Sequence, residues 1–126
     1  MTACPCGLGP PLDACCGPLL DGAPAPTPER LMRSRYTAFA LGDTAHLLAS
    51  WHPDTRPARL RLDPAQRWTG LEVTATDGGG LLGTTGTVDF HAHWSAGRRT
   101  GVLSEHSRFV RFDGRWVYLD GDPVAP

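Results

Sequence analysis

The chain of 126 residues carries 15 glycines, 12 prolines, 12 basic and 13 acidic residues, which is the profile of one ordinary domain and not of a multidomain enzyme. A formal charge of −1 leaves no large basic field, so broad capture of nucleic acid is not expected. All twelve basic residues are arginine, which removes Schiff-base catalysis by a lysine side chain.

Seven of the twelve prolines and all four cysteines lie in the first 28 residues. The chain therefore divides into a cysteine-rich head and linker over residues 1–26 and a conventional body over residues 27–126. The start, Met1-Thr2-Ala3-Cys4, shows no positive n-region and no apolar h-region, and no stretch approaches the roughly 18 apolar residues of a membrane span. The expected location is the cytosol, away from any membrane. Thiols are held reduced there, so Cys4, Cys6, Cys15 and Cys16, a C-x-C-x8-C-C pattern with Gly7, Gly9 and Gly17 beside them, point to a metal site before a disulfide framework. Four soft thiolates in a closed shell suit tetrahedral zinc, and Zn2+ is the expected cofactor. An iron–sulfur cluster matches less well. A redox-active thiol pair, or a head that orders only on a partner, are the alternatives.

Helical signals begin at Thr27, which is placed to cap a helix with Pro28 at its first position and Glu29 in its first turn. The helix is expected to run toward Gly42. Leu31, Met32, Tyr36, Phe39 and Ala40 recur as one buried stripe, with Arg30, Arg33 and Ser34 on other faces. Asp43 is placed to cap a second short helix carrying Leu47, Leu48 and Trp51, which Pro53 stops. Residues 54–66 read as loop or a short helical turn. Beyond Trp68 the period becomes two: a strand through Leu71 and Val73, then Val88, Phe90, Ala92 and Trp94 alternating with Asp89, His91 and His93. A long strand from about Val102 to Phe112 follows. Asp113-Gly114 favours a type I′ hairpin into a last strand over Arg115 to Asp120. Helices followed by a four-strand meander predict an α+β fold, with helices covering one face of a curved antiparallel sheet.

The long strand is polar on both faces, and polar groups are costly to bury unpaired. Glu105 and Arg108 read as cross-strand or helix-anchoring ion pairs, or as part of a pocket. In the pocket arrangement Arg35, Tyr36, Trp51, His52, Glu105, Ser107 and Arg108 surround a cavity under the helices, where an arginine fork could bind a carboxylate or phosphate. His52, taken to close the second helix, reads as a C-terminal cap or as a base. His91 and His93 share a strand face and read as a solvated surface before a second metal site. No G-x-S-x-G elbow and no phosphate-binding glycine loop in its structural context is present.

Cys4-Pro-Cys6-Gly-Leu-Gly, ending in Cys15-Cys16-Gly-Pro, resembles the SEC-C motif, a small zinc-binding element found at the C-terminus of many SecA translocation ATPases. Residues 8 to 12 depart from it, with Leu8, Pro10, Pro11 and Leu12 where serine, basic and aromatic residues are usual. Residues 25–39, Trp51-His52-Pro53, Ser107-Arg108-Phe109 and Asp113-Gly114-Arg115-Trp116 together resemble the YchJ family of uncharacterised bacterial proteins. The resemblance implies an SEC-C head followed by an α+β domain similar to nuclear transport factor 2, and it implies no particular reaction. The expectation is a small zinc-binding protein that acts as a recognition or protein-interaction module through its head. The alternative is a small-ligand receptor or enzyme using the cavity of the body. In the two-part arrangement, Cys15→Ser should release the metal and disorder the head while the body still unfolds as before.

Overall fold

A computed structural model describes residues 3–124. In the head, the Cys4 amide donates to the Pro10 carbonyl at 2.8 Å and closes a short antiparallel bridge between Ala3 and Pro11. A 3-10 turn over Leu12–Ala14 and the one-turn helix α1, Gly17–Leu20, then bring Cys15 and Cys16 back toward the first pair.

Helix α2, Pro28–Leu41, begins and ends where the capping residues place it. The Thr27 hydroxyl accepts from the Arg30 amide at 3.1 Å, Pro28 takes the first turn, and Gly42 stops the helix at φ 77°. Leu31, Met32 and Tyr36 are buried, and so are Ser34, Arg35, Thr37 and Ala38. Two positions differ from the expected stripe: Ala40 is exposed and Ser34 is fully buried. The cause is that α2 packs against the sheet, α3 and the head at once. Ser34 is satisfied within that sandwich, donating to the Leu31 carbonyl at 2.7 Å and lying 2.9 Å from His46 Nε2.

Helix α3, Thr44–Ala49, is capped by the Asp43 carboxylate, which accepts from the His46 amide at 3.0 Å. It stops short of Trp51 and His52, which the sequence places in its last turn. The chain leaves the helix there to pair with the last strand. Tyr118 N–H donates to the Ser50 carbonyl and His52 N–H to the Tyr118 carbonyl, both at 2.8 Å, and Trp51 forms a parallel bridge with Tyr118. No regular helix or strand occurs between this bridge and Arg67.

The sheet is an antiparallel meander in the order β1 (Arg67–Gly78), β2 (Thr85–Ala96), β3 (Arg99–Phe112) and β4 (Arg115–Pro123). Asp113 and Gly114 turn from β3 to β4 at φ 52° and 77°, the two positive values that a type I′ hairpin requires. Val88, Phe90 and Ala92 of β2 face the core, opposite Ser107, Glu105 and Leu103 of β3. The register slips twice along β1, at Thr69 and Thr74, and once along β4, at Leu119. Such bulges bend a strand and increase its twist, so the sheet curls around α2. One apolar cluster joins Leu31, Met32 and Tyr36 of α2, Val88, Phe90 and Phe109 of the sheet, and all four cysteines.

Candidate functional site

The four cysteine sulfurs lie within 4.8 Å of one another and all four residues are buried. Among the described residues this is the one group of three or more such side chains close enough to share a metal ion. Helix α2 positions it from beneath. Arg33 Nη1 donates to the Cys6 carbonyl at 2.8 Å, Arg30 Nη2 to the Cys15 carbonyl at 3.2 Å, and Thr37 Oγ1 stands 3.6 Å from Cys4 Sγ. The thiols are all unbridged. The hydrogen bond between Cys16 and Cys6 lowers the Cys6 pKa to about 5 and, followed by burial, raises that of Cys16. Burial, aided by the bond to Cys6, pushes Cys15 up to about 11. The donor set can hold a metal ion, and it faces the core and not the surface.

A second feature lies between α2 and the concave face of the sheet, a cavity of about 190 Å3. Its walls are mostly apolar: Met32 and Phe39 from α2, Trp68 from β1, Phe90 from β2 and Phe109 from β3. Of the seven residues placed together by the sequence, the structure brings five to this cavity, namely Arg35, Tyr36, Trp51, Glu105 and Ser107. His52 and Arg108 do not line it. His52 lies past the end of α3, accepts from the Asp54 amide at Nδ1 and packs edge-on to Phe112 at 4.9 Å. Neither a helix cap nor a base for the cavity, it braces the loop that follows. Arg108 points to the opposite face of the sheet, where it donates to Asp120 at 2.5 Å and Asp122 at 2.7 Å. The cross-strand pairing expected of Arg108 is thus present, and Glu105 takes no part in it. His91 and His93 occupy that same outer face, bound to Ser104 at 2.5 Å and to Glu72 at 2.6 Å.

Arg35 is 6% exposed. Its Nη1 donates to the Leu47 carbonyl at 2.8 Å and to Ser50 Oγ at 2.7 Å, and its guanidinium carbon stands 5.0 Å and 4.6 Å from the ring centres of Trp51 and Tyr118. Burial lowers its pKa to about 10, with the phenol of Tyr118 and the Glu105 carboxylate opposing, so it stays charged at neutral pH. Glu105 Oε1 accepts from Ser107 Oγ at 2.6 Å and from the Tyr118 hydroxyl at 2.9 Å. Burial, followed by the charge of Glu105, raises Tyr118 and keeps it a phenol donor. The Trp51 indole N–H is buried and has no hydrogen-bond partner. Tyr118 escaped the sequence reading. Its place two residues beyond Trp116 on an alternating strand was the available signal, and the bulge at Leu119 blurred it.

Comparison with known proteins places this geometry in a family. Residues 27–121 match the family model described as "YchJ, middle NTF2-like domain". A UPF0225 protein of Streptomyces coelicolor is 56% identical over 120 residues, covering 94% of each chain. Another from Chromobacterium violaceum is 49% identical over 125 residues, covering 95% of this chain and 92% of its own. The solution structure of an SEC-C motif containing protein from Rhodopseudomonas palustris superposes with a TM-score of 0.82 at 33% identity, over 97% of this chain and 98% of that one. A second, from Psychrobacter arcticus, gives 0.74 at 27% identity, over 98% and 83%. Four cysteines gathered on α2 and a curled sheet closed over by that helix are thus the two halves of a shared architecture, and the chain belongs to the YchJ (UPF0225) family, an SEC-C motif joined to an NTF2-like domain.

Proposed function

We propose that this protein is a cytosolic small-molecule receptor in which a zinc-stapled head braces helix α2, one wall of the binding cavity. The observation that carries the receptor role is a mostly apolar cavity between α2 and the sheet whose wall also receives the polar side chains of Arg35, Glu105, Ser107 and Tyr118. An apolar cavity with a few convergent polar groups is the usual form of a ligand site. Zinc fits the thiol cluster. Zinc–sulfur bonds of about 2.3 Å set tetrahedral sulfurs roughly 3.8 Å apart, and the cluster has all four sulfurs within 4.8 Å, with Cys6 and Cys15 at 3.5 Å. Cys4, Cys6, Cys15 and Cys16 would be the ligands, and the ion would supply structure in place of a core that about 16 residues cannot bury alone. The inward orientation of the sulfurs and of the Cys6 and Cys15 carbonyls favours a structural ion over a docking surface.

Native mass spectrometry of gently purified protein tests both parts. The expected spectrum shows the chain with one zinc, and a further small organic mass that Trp51→Phe diminishes. A chain with zinc and no retained mass from several growth conditions, together with no response to small-molecule screening, would leave the cavity without a role.

A further inference from the structure

The cavity places one cation and one anion on its wall, Arg35 and Glu105, and among the described residues each keeps half of its bonding capacity free. Arg35 is 6% exposed. Its Nη1 donates to the Leu47 carbonyl and to Ser50 Oγ, while Nε and Nη2 have no partner. Those two nitrogens form an edge of the guanidinium that grips a carboxylate through two parallel bonds. Glu105 likewise uses one oxygen: Oε1 accepts from Ser107 and from Tyr118, and Oε2 accepts from neither. The two donors fix the carboxylate in place, and β4 leaves room for it, because a Cβ at Gly121 would overlap Glu105 Oε1. The cation and the anion do not bond to each other; both flank Tyr118, the one against its ring and the other at its hydroxyl. A ligand with a single negative charge would gain at Arg35 and be repelled at Glu105, and a single positive charge would meet the reverse. A neutral ligand would leave both protein charges without a counter-charge beside Met32, Phe39, Trp68 and Phe90. A zwitterion with a carboxylate and an ammonium on one carbon answers both.

We infer that the cavity binds a free apolar α-amino acid, with its carboxylate on the Nε–Nη2 edge of Arg35, its ammonium on Glu105 Oε2 and its side chain among Met32, Phe39, Trp68 and Phe90. This rests on the receptor role proposed above and adds the ligand's chemical class. At about 190 Å3 the space is smaller than the 300 Å3 or more of a drug-sized site, which limits the ligand to a single amino acid and excludes a peptide.

L-leucine, 4-methylpentanoate, 3-methylbutylamine and 4-methylpentanamide share one apolar body and differ in charge, and L-phenylalanine adds a larger side chain. Each is titrated into zinc-loaded, 15N-labelled full chain while the Arg35 Nε–H resonance and the Phe90 and Phe109 amides are followed. The expected result is that leucine or phenylalanine moves these resonances and binds at least about tenfold more tightly than the three analogues that lack a charge. Glu105→Gln should weaken amino-acid binding at least about tenfold and strengthen that of 4-methylpentanoate, because the ammonium loses its partner and the carboxylate its repulsion. Where that variant fails to fold, the series on the native chain still decides. Binding of the carboxylate, the amine or the amide as tight as that of both amino acids would overturn the selection for a zwitterion while the receptor role stood. No shift with any of the five probes would overturn the inference too, and the receptor role would fall with it only if native spectra also showed no retained mass.

Discussion

Arg35 shows what a single buried charge does here. It ties α2 to the end of α3 through Leu47 and Ser50, and by occupying those acceptors it lets the chain leave the helix and pair with β4. Arg35→Met is expected to leave that carbonyl and hydroxyl without their donor and to cost about 2 kcal/mol, read as a lower denaturant midpoint. His46 makes a pH-dependent contribution. Burial first and the nearby Arg35 second lower its pKa below 6.5, with Asp43 opposing. Its folded pKa therefore lies below its unfolded one, so the unfolded chain binds the proton more readily. Stability from this site is intact above about pH 6.5 and declines as the pH falls through the folded value. His46→Gln should flatten that part of the stability profile, measured by urea titrations at pH 7.5 and 5. At the thiols, Thr37→Val is expected to weaken zinc binding about tenfold by removing the hydroxyl beside Cys4, a change that competition with a chromophoric chelator reads. The spacing of Arg35, Tyr36, Glu105 and Ser107 sufficed to bring them to one place, because helix and strand periods decide which residues share a face. His52 and Arg108 were misplaced for local reasons: an early exit from α3 and the outward half of a strand alternation.

Element boundaries that rest on local chemistry were legible, and those that rest on tertiary pairing were not. Thr27, Pro28 and Gly42 mark α2 because caps and positive φ are properties of a few adjacent residues. The end of α3 depends on Tyr118, some seventy residues away, and no local signal carries it. The bulges at Thr69, Thr74 and Leu119 likewise follow from closing the sheet around α2. The start of α2 also sits unusually close to the sheet. A Cβ at Gly86 would stand 2.8 Å from Pro28 Cγ and 3.1 Å from the Gly79 amide nitrogen. Gly86→Ala is accordingly expected to force α2 and the β1–β2 turn apart, at about 1–3 kcal/mol. Thermal unfolding would show the loss, and Gly97→Ala, where the added carbon meets open space, separates steric overlap from backbone strain.

At the scale of the molecule, the head and the body share one apolar cluster: Cys4, Cys6, Cys15 and Cys16 pack with Leu31, Met32 and Tyr36. Arg30, Arg33 and Thr37 of α2 bind the head, while Met32, Arg35 and Tyr36 of the same helix line the cavity. The cysteine spacing made the thiol cluster legible, but the separate unfolding of head and body expected from the sequence took no account of this shared helix. Zinc ordering of a short segment contributes on the order of 10 kcal/mol, and in the proposed zinc-bound form the contacts of Arg30, Arg33 and Thr37 would pass part of that free energy to α2. Cys16→Ser should therefore lower the midpoint of the whole chain's unfolding and not only release the head.

Hydrogen exchange of the zinc-loaded chain before and after exhaustive chelation tests this coupling most directly. The account predicts that removing the metal lowers amide protection throughout α2 and in β2 and β3 around Phe90 and Phe109, along with the head. Loss of protection confined to residues 3–26, with α2 and the cavity walls unchanged, would contradict it.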